Sequence, residues 1–169
     1  MSKIARDQFY MELALAVARR GTCDRRQVGA CLVQSDRLLS IGFNGAPSGM
    51  PECDSVGHEM FQGSCIRSVH AECNALLEIG SQNLRRIASE KKKLSRGSPV
   101  LTLYVTTSPC RACMGLIINA GIQRIVYGEV YSDPSHTNDR SKYAFEAAEL
   151  LGIQMTPFVL AQPKSSSTD

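Results

Sequence analysis

The first 43 residues contain one helical pattern and two extended patterns of apolar positions. Apolar residues recur at helical spacing among good helix formers from Ile4 to Arg20, and Gly21 can end that helix. Two short apolar runs follow, at Val28–Gln34 and Leu38–Phe43, and each has the length of a strand. The polar residues 35–37 between them are typical of a turn. The pattern therefore predicts an N-terminal helix followed by a β-hairpin.

The periodic pattern disappears in the next segment, from Asn44 to Ser68. This stretch is rich in glycine and proline and contains Cys53, His58 and Cys65. A structureless segment of this size inside a compact domain is normally functional or held in place by a ligand. We therefore expect an irregular insert, and a metal ion is a candidate for what holds it.

Helical and extended patterns alternate after the insert. The predicted elements are a helix over Val69–Ile79, a polar helical connector over Asn83–Leu94, a strand over Val100–Thr106, a helix over Cys110–Ala120, a strand over Gln123–Tyr127, a helix over Asn138–Leu151 and a strand over Ile153–Leu160. This alternation predicts an α/β fold, a three-layer α/β/α sandwich around a mixed five-stranded sheet. We expect a single domain over residues 1–161, with the insert at 44–68 and a flexible tail at 162–169.

The composition is typical of a globular protein and excludes several other classes. With 43% hydrophobic residues among 169, the chain can build a core without covalent staples. A formal net charge of only +3 argues against a dedicated nucleic-acid binder. The chain has neither the apolar run of a secretory signal nor one that could span a bilayer, so we expect a soluble, cytoplasmic protein. The odd count of seven cysteines then favours reduced thiols and metal ligands over disulfides.

Two short motifs supply the residue types of a hydrolytic zinc site. His70 and Glu72 lie two positions apart, and Cys110 and Cys113 follow in a Cys-x-x-Cys motif. A catalytic zinc usually has three protein ligands and an open position for water, which His70, Cys110 and Cys113 can provide. Glu72 is then left free to transfer protons. Because Pro109 is favoured at the first position of a helix, we expect Cys110 in the first turn, where the helix dipole favours a thiolate.

The remaining cysteines fall into two groups. Cys23, Cys53, His58 and Cys65 have the composition of a closed, tetrahedral structural zinc site. The alternative is that they are ordinary thiols and a surface histidine in a loop that folds by packing alone. Cys31 and Cys73 lie within apolar strand or helix patterns, where a free cysteine is mostly a small buried hydrophobe.

The two zinc motifs fit the H-x-E and P-C-x-x-C signature of the zinc nucleobase deaminases. The chain thus resembles the cytidine deaminase superfamily and, within it, most closely the deoxycytidylate (dCMP) deaminases. The likeness is carried by the insert and by Cys23–Ala30, Gly42–Gly49, His70–Ala75, Thr107–Cys110 and Val126–Tyr131. Phe43 stands where the family is expected to have a tyrosine.

This resemblance implies a cytidine deaminase-like fold and the hydrolysis of dCMP to dUMP and ammonia, which feeds dTMP synthesis. Zinc can lower the pKa of a bound water to about 7, and Glu72 would carry protons from that water to the base. Backbone groups at Ala71 and Ser108 would hold the edges of the base. Asn44 would bind the sugar or the base, or would instead support an Asx-turn at Asn44-Gly45.

A monophosphate substrate also needs a cation. Arg26 is the candidate, because guanidinium groups bind phosphate in bidentate fashion, although a solvated surface arginine fits the sequence equally well. Tyr131 would stack on or donate to the phosphate end of the substrate, or pack at the rim of the core. His136 fits best as an ordinary loop histidine.

The resemblance also implies partners. Related deaminases are typically homohexamers that are activated by dCTP and inhibited by dTTP, and Mg²⁺ would accompany such a triphosphate. Two alternatives stay open at this point. One is a deaminase of another cytosine or adenine nucleoside or nucleotide, and the other is a non-catalytic, zinc-scaffolded interaction protein. The presence of Glu72, which a scaffold would not need, argues against the second.

Overall fold

The structure, a computed structural model, describes residues 3–61, 64–80, 83, 100–131 and 140–159. The structural statements below concern these residues. Apart from Asn83, the predicted polar connector lies outside them, as do His136 and the predicted tail at 162–169.

The helices and strands follow the order predicted from the apolar patterns, with ends that differ by a few residues. The helices are α1 (Arg6–Ala18), α2 (Cys53–Val56), α3 (Ala71–Ile79), α4 (Arg111–Asn119) and α5 (Arg140–Leu151). The strands are β1 (Gly29–Gln34), β2 (Arg37–Phe43), β3 (Met60–Phe61), β4 (Ser64–Cys65), β5 (Leu101–Thr107), β6 (Arg124–Glu129) and β7 (Gln154–Pro157).

Five strands form one mixed sheet in the order β2-β1-β5-β6-β7. β1 is antiparallel to both β2 and β5, whereas β5, β6 and β7 run parallel. The pairing of β1 with β5 joins distant parts of the chain, since the N–H of Gly29 donates to Thr106 Oγ1 77 residues later. All seven residues of β5 are buried, as expected for a central strand covered on both faces. The predicted sheet is confirmed.

Helices cover both faces of the sheet. On one face α1 is the only helix among the described residues, and its Met11 and Ala14 belong to one core with Cys31 and Val126 of the sheet. On the other face α3, α4 and α5 pack on a larger core that includes Leu32, Leu103 and Ile125. Alternate residues of β1, β5 and β6 therefore point to opposite cores, which is the side-chain period of a strand. The three layers are those predicted from the sequence.

The hairpin between β1 and β2 is tighter than the predicted turn over residues 35–37. Ser35 and Asp36 both have positive φ, 50° and 62°, and Gln34 pairs directly with Arg37. Two central residues with positive φ form a turn whose twist matches the flanking strands. Arg37 is thus the first residue of β2.

The insert is not wholly irregular. It contains the single turn α2 and a two-stranded ribbon of β3 and β4, in which Met60 pairs with Cys65. Its ends are held together by a bridge between Gly45 and Val69. Such short elements carry too little periodicity to be recognised in the sequence.

No helix within the described ranges is both long and apolar enough to cross a membrane.

Asp7 connects α1 to the sheet through a charged network. Arg124 of β6 donates to both carboxylate oxygens of Asp7, at 2.8 and 2.6 Å, and the Tyr104 hydroxyl donates to the same carboxylate at 2.8 Å. The bond from Arg124 is the main cause that holds the pKa of Asp7 below its ordinary value. Because the folded-state pKa is depressed, this network stabilises the fold above the unfolded pKa of about 3.9, and the stabilisation is lost as the pH falls through the folded value.

We expect Asp7→Asn to lower the free energy of unfolding by about 1–2 kcal/mol at neutral pH, since it removes charged hydrogen bonds that are partly screened by solvent. It should also flatten the loss of stability in acid. Urea unfolding at several pH values measures both effects. Asp36→Asn is the matched control, because the ion pair between Asp36 and Arg6 is exposed and should contribute under about 1 kcal/mol. Equal losses in both variants would contradict this role of Asp7.

Candidate active site

One pocket at the carboxyl ends of β2 and β5 collects most of the predicted site residues. It is lined by Cys23, Arg25, Arg26, Val28, Asn44, Ser64, Cys65, Ser68, His70, Ala71, Glu72, Thr107, Ser108, Cys110 and Tyr131. Cys113 lies just behind this lining, within reach of His70. The pocket therefore brings together the zinc motifs, Arg25 and Arg26, and the loop at Asn44, which are far apart in the sequence.

His70, Cys110 and Cys113 form a compact set of donors. Nδ1 of His70 lies 3.5 Å from Sγ of Cys110 and 3.3 Å from Sγ of Cys113. Ligands of a tetrahedral zinc at about 2.3 Å for sulfur and 2.0–2.1 Å for nitrogen lie about 3.5–3.8 Å from one another. All three donor atoms lie within 4.8 Å of one another, so their spacing and their chemistry fit zinc.

The position of Cys110 differs from the prediction. Helix α4 begins at Arg111, so Cys110 is the N-cap residue, with an extended ψ of 171°, and Pro109 precedes it. The prediction of Cys110 in the first turn was wrong because Pro109 lies one residue before the cap and not at the first helical position. His70 is likewise the N-cap of α3. Both helices thus direct their N-termini, which favour negative charge, towards the same site.

The two sulfurs of the Cys-x-x-Cys motif interact, and the interaction shifts their pKa values in opposite directions. The hydrogen bond from Cys113, assisted by His70, lowers the pKa of Cys110 to about 4. The same interaction raises the pKa of Cys113. Cys110 is therefore a thiolate at neutral pH, which is the form that binds metal.

Glu72 lies in the first turn of α3, next to these donors, and its side chain is only 4% exposed. Burial raises the pKa of its carboxyl group to about 7. A carboxyl group with a pKa near neutrality can both accept and release a proton at working pH, which suits a general acid and base.

Cys73 was predicted to be a small buried hydrophobe, but it lies next to the zinc-type donors. Its Sγ lies 3.8 Å from that of Cys113, and the side chain is only half-buried, so it is more than a small core residue. The signal in the sequence is its spacing of three residues from His70, which places both on one face of the helix. Cys31 is a buried core residue on the α1 face, as predicted. This burial raises the pKa of its thiol to about 12.

Both the oxygen and the nitrogen of the Asn44 side-chain amide form hydrogen bonds with the backbone. Its Oδ1 accepts from the N–H of Val28 at 2.7 Å, and its Nδ2 donates to the carbonyl of Arg26 at 2.8 Å. The side chain thus bridges to the backbone before β1, and does not form a local Asx-turn at Asn44-Gly45. Asn44 still lines the pocket, and its amide fixes the segment that carries Arg26.

Arg26 and Tyr131 line the same pocket. The Arg26 guanidinium carbon lies 5.2 Å from the centre of the Tyr131 ring, in a cation–π contact. Nη1 of Arg26 is buried and has no hydrogen-bond partner within the described part of the chain. A buried donor without a partner is costly, so an anionic ligand at this point would satisfy it.

Ala71 and Ser108 also line the pocket. Ala71 is the first residue of α3, and the first N–H groups of a helix have no partner within it. The N–H of Ser108 donates to the carbonyl of Glu129 at 2.7 Å, and its hydroxyl accepts from the N–H of Tyr131 at 2.8 Å. Any backbone contact from Ser108 to a ligand must therefore use its carbonyl oxygen.

Cys23, Cys53, His58 and Cys65, which we call the insert cluster, also converge. Their donor atoms all lie within 4.8 Å of one another. Sγ of Cys53 lies 3.6 Å from that of Cys65, and Sγ of Cys23 lies 3.7 Å from Nδ1 of His58, both close to the edge length of a zinc tetrahedron. This donor set also fits zinc.

Two carboxylates near the insert cluster could not be found from the sequence. Oδ1 of Asp24 lies 3.1 Å from Nε2 of His58, so it orients that ring with Nδ1 towards the sulfurs. Glu52 accepts hydrogen bonds from the Thr22 hydroxyl and from the N–H of Ala46, which lower its pKa. Glu52 thereby joins the start of α2 to the loop after β2.

Comparison with known proteins agrees with these features. Residues 4–129 match the family model described as the cytidine and deoxycytidylate deaminase zinc-binding region. Deoxycytidylate deaminase of Mycobacterium phage D29 is 35% identical over 138 residues, covering 75% of this chain and 97% of that protein. ComE operon protein 2 of Bacillus subtilis (strain 168) is 32% identical over 148 residues, covering 88% of this chain and 70% of that protein. The crystal structure of dCMP deaminase from the cyanophage S-TIM5 in complex with dCMP and dUMP superposes with a TM-score of 0.66 and 27% identity, covering 94% of this chain and all of that one.

Proposed function

This chain belongs to the family of cytidine and deoxycytidylate deaminases, and from that premise we propose that it hydrolyses dCMP to dUMP and ammonia, supplying dUMP for dTMP synthesis. The observation that carries the proposal is the pocket itself. A buried carboxyl group, Glu72, a zinc-type donor set and the unsatisfied Nη1 of Arg26 meet around this one pocket. A ligand that carries both a base and a phosphate would use all of these groups.

His70, Cys110 and Cys113 are the residues that would hold the catalytic zinc. When bound there, zinc supplies a water molecule of lowered pKa, which is a usable nucleophile at neutral pH. Three protein donors would leave a fourth ligand position for that water, and Cys73, whose Sγ lies 3.8 Å from that of Cys113, is not part of the pocket lining.

Glu72 would carry the protons of the reaction. It accepts a proton from water as the water oxygen bonds to ring carbon 4, and passes that proton to ring nitrogen 3. A second proton from the same water then passes through Glu72 to the amino group, so that the carbon–nitrogen bond breaks and ammonia leaves. Its pKa of about 7 suits both directions of transfer.

Arg26 would bind the phosphate of the nucleotide, with Tyr131 against its guanidinium face. Asn44 would act mainly by holding the Arg26 segment, and its remaining amide hydrogen is available to the sugar. The N–H of Ala71 and the carbonyl of Ser108 would meet the edges of the base. The insert cluster would hold a second, structural zinc.

The direct test is an ammonia-release assay with cytosine, cytidine, deoxycytidine, CMP and dCMP as substrates. We expect the monophosphates to have a higher kcat/KM than cytosine and the nucleosides, because only a monophosphate reaches Arg26. The family relationship leads us to expect dCMP to exceed CMP. A protein that is inert on dCMP but active on free cytosine, a nucleoside or a tRNA adenosine belongs to another branch of the family. A protein that binds zinc but releases no ammonia from any of these substrates would be a scaffold.

The proposed function includes regulation by nucleotides and assembly into an oligomer. We expect dCTP to activate and dTTP to inhibit, with Mg²⁺ bound to the triphosphate, and a homohexamer in solution. Exposed apolar residues at the edge of the sheet support self-association, since Ile41 is 44% and Leu77 is 72% exposed. The same assay with each triphosphate, and sedimentation analysis, test these points. All seven cysteines are free of disulfides, which supports a reducing, cytoplasmic location.

A further inference from the structure

We propose that the insert cluster sets the preference for a phosphorylated substrate, because metal binding there fixes the turn that carries Arg26. The inference rests on the proposed function and assigns the cluster a task beyond holding the insert together. The contacts of Cys23, of Arg26 and of Asn44 carry the argument.

Cys23 differs from the other three members of the cluster in its place in the chain. It lies in the loop after α1, outside the insert, and is 4% exposed. Its sulfur meets Nδ1 of His58, which lies 35 residues later. A metal bound to all four donors would therefore tie the loop before β1 to the insert.

The turn from Cys23 to Arg26 transmits this restraint over three residues. The N–H of Arg26 donates to the carbonyl of Cys23 at 3.2 Å. From the other side, Asn44 holds the carbonyl of Arg26 and the N–H of Val28. The backbone of Arg26 thus has two anchors, and only the anchor at Cys23 depends on metal.

Precise placement matters at Arg26 because a guanidinium binds phosphate through two parallel hydrogen bonds, which require a fixed plane. The Tyr131 ring covers one face of that plane, and Nη1 is buried without a partner among the described residues. Cys23 and Cys65 line the same pocket. Two members of the insert cluster therefore line the same pocket as Arg26.

The groups that would meet the base are held separately. His70 and Glu72 belong to the start of α3, and Cys110 and Cys113 to the start of α4, and both helices pack on the sheet. Loss of metal from the insert cluster should thus weaken binding of the phosphate while binding of the base remains. The expected signature is a change in selectivity and not a general loss of affinity.

The test compares Cys53→Ser, Arg26→Gln and the double variant. Cys53 belongs to the cluster but does not line the pocket, so any effect on ligand binding is transmitted. Calorimetry measures the affinity for dUMP and for deoxyuridine, and metal analysis measures the zinc content. We expect Cys53→Ser to lose the insert zinc and to bind dUMP about tenfold or more weakly, with little change for deoxyuridine. Cys31→Ala, a buried cysteine outside both clusters, serves as the control.

The double variant decides whether the effect passes through Arg26. If it does, the double variant binds dUMP about as weakly as Arg26→Gln alone, because coupled residues are not additive. The inference fails if Cys53→Ser loses its zinc and keeps the wild-type ratio of dUMP to deoxyuridine affinity, or if the two effects multiply. Failure of the proposed function looks different, because wild-type protein would then release no ammonia from dCMP.

A milder variant covers the case in which Cys53→Ser does not fold. Asp24→Ala keeps all four donors and removes only the side chain whose Oδ1 lies 3.1 Å from Nε2 of His58 and orients that ring. Loss of such a partner typically weakens metal affinity by about 10–100-fold, so a chelator can withdraw the insert zinc from folded protein. We expect the ratio of dUMP to deoxyuridine affinity to fall as this zinc is removed and to recover on its return. An unchanged ratio at low occupancy would overturn the inference.

Discussion

Replacing Glu72 with glutamine is expected to lower kcat for dCMP by about 10²–10⁴-fold, equivalent to about 3–5 kcal/mol of transition-state stabilisation. Glutamine has the shape of glutamate but cannot accept and return protons. Because the side chain is buried and is not among the zinc-type donors, zinc content and melting temperature should stay close to those of the wild type. Steady-state kinetics, metal analysis and thermal unfolding measure the three quantities.

Glu78→Gln is the matched control for this variant. Glu78 lies on the same helix but on its exposed side, so loss of its charge should leave kcat near the wild-type value. Unchanged activity in Glu72→Gln would remove Glu72 from the reaction. A loss of zinc in Glu72→Gln would show instead that the carboxylate supports the metal.

Cys113→Ser is expected to abolish deamination and to lower zinc content from about two ions per chain to about one. A serine hydroxyl is not deprotonated at neutral pH and is a poor zinc ligand, and Cys113 is too buried for water to replace it easily. Metal analysis of the purified variant, together with the ammonia assay, gives both results. Cys31→Ala, which removes a thiol from the opposite face of the sheet, should keep both zinc ions and nearly full activity.

The neighbouring thiol makes a second variant necessary. Sγ of Cys73 lies 3.8 Å from that of Cys113 and is the nearest substitute ligand. If Cys113→Ser retains zinc, the double variant Cys73→Ala/Cys113→Ser should lose it. Retention of this zinc and of activity in the double variant would contradict the assignment of Cys113 as a ligand.

The sheet and its helices could be predicted because their signals are local and repetitive. The strand β1 is a short apolar run, β5 alternates apolar residues with β-forming residues, and the helices that flank them show apolar residues on one face. The donor set at the active site was predictable for a related reason, since His70, Cys110 and Cys113 lie in two short motifs of fixed spacing. A motif of this kind specifies its own local geometry.

The features that could not be predicted depend on contacts between residues that are distant in the sequence or on local backbone conformation. The role of Asn44 follows from its distance to the backbone at Arg26 and Val28, and nothing in the Asn-Gly pair reveals that contact. The start of α4 at Arg111 follows from the extended backbone of Cys110, which a rule for proline at the first helical position does not anticipate. Asp24 and Glu52 acquire their partners only when the insert folds back on the loop after α1.

The separation of β1 from β5 along the chain has a consequence for biosynthesis. The hairpin of β1 and β2 is complete early in translation, yet the neighbour of β1 on its other edge lies 77 residues downstream at the Gly29–Thr106 contact. At ribosomal rates of 5–20 residues per second this delay is about 4–15 s. During that interval the nascent chain presents an apolar strand with unsatisfied backbone groups, which is the kind of edge that other chains can join. Chaperone supply and translation speed would therefore affect the yield of folded protein. They would leave the stability of the finished core unchanged.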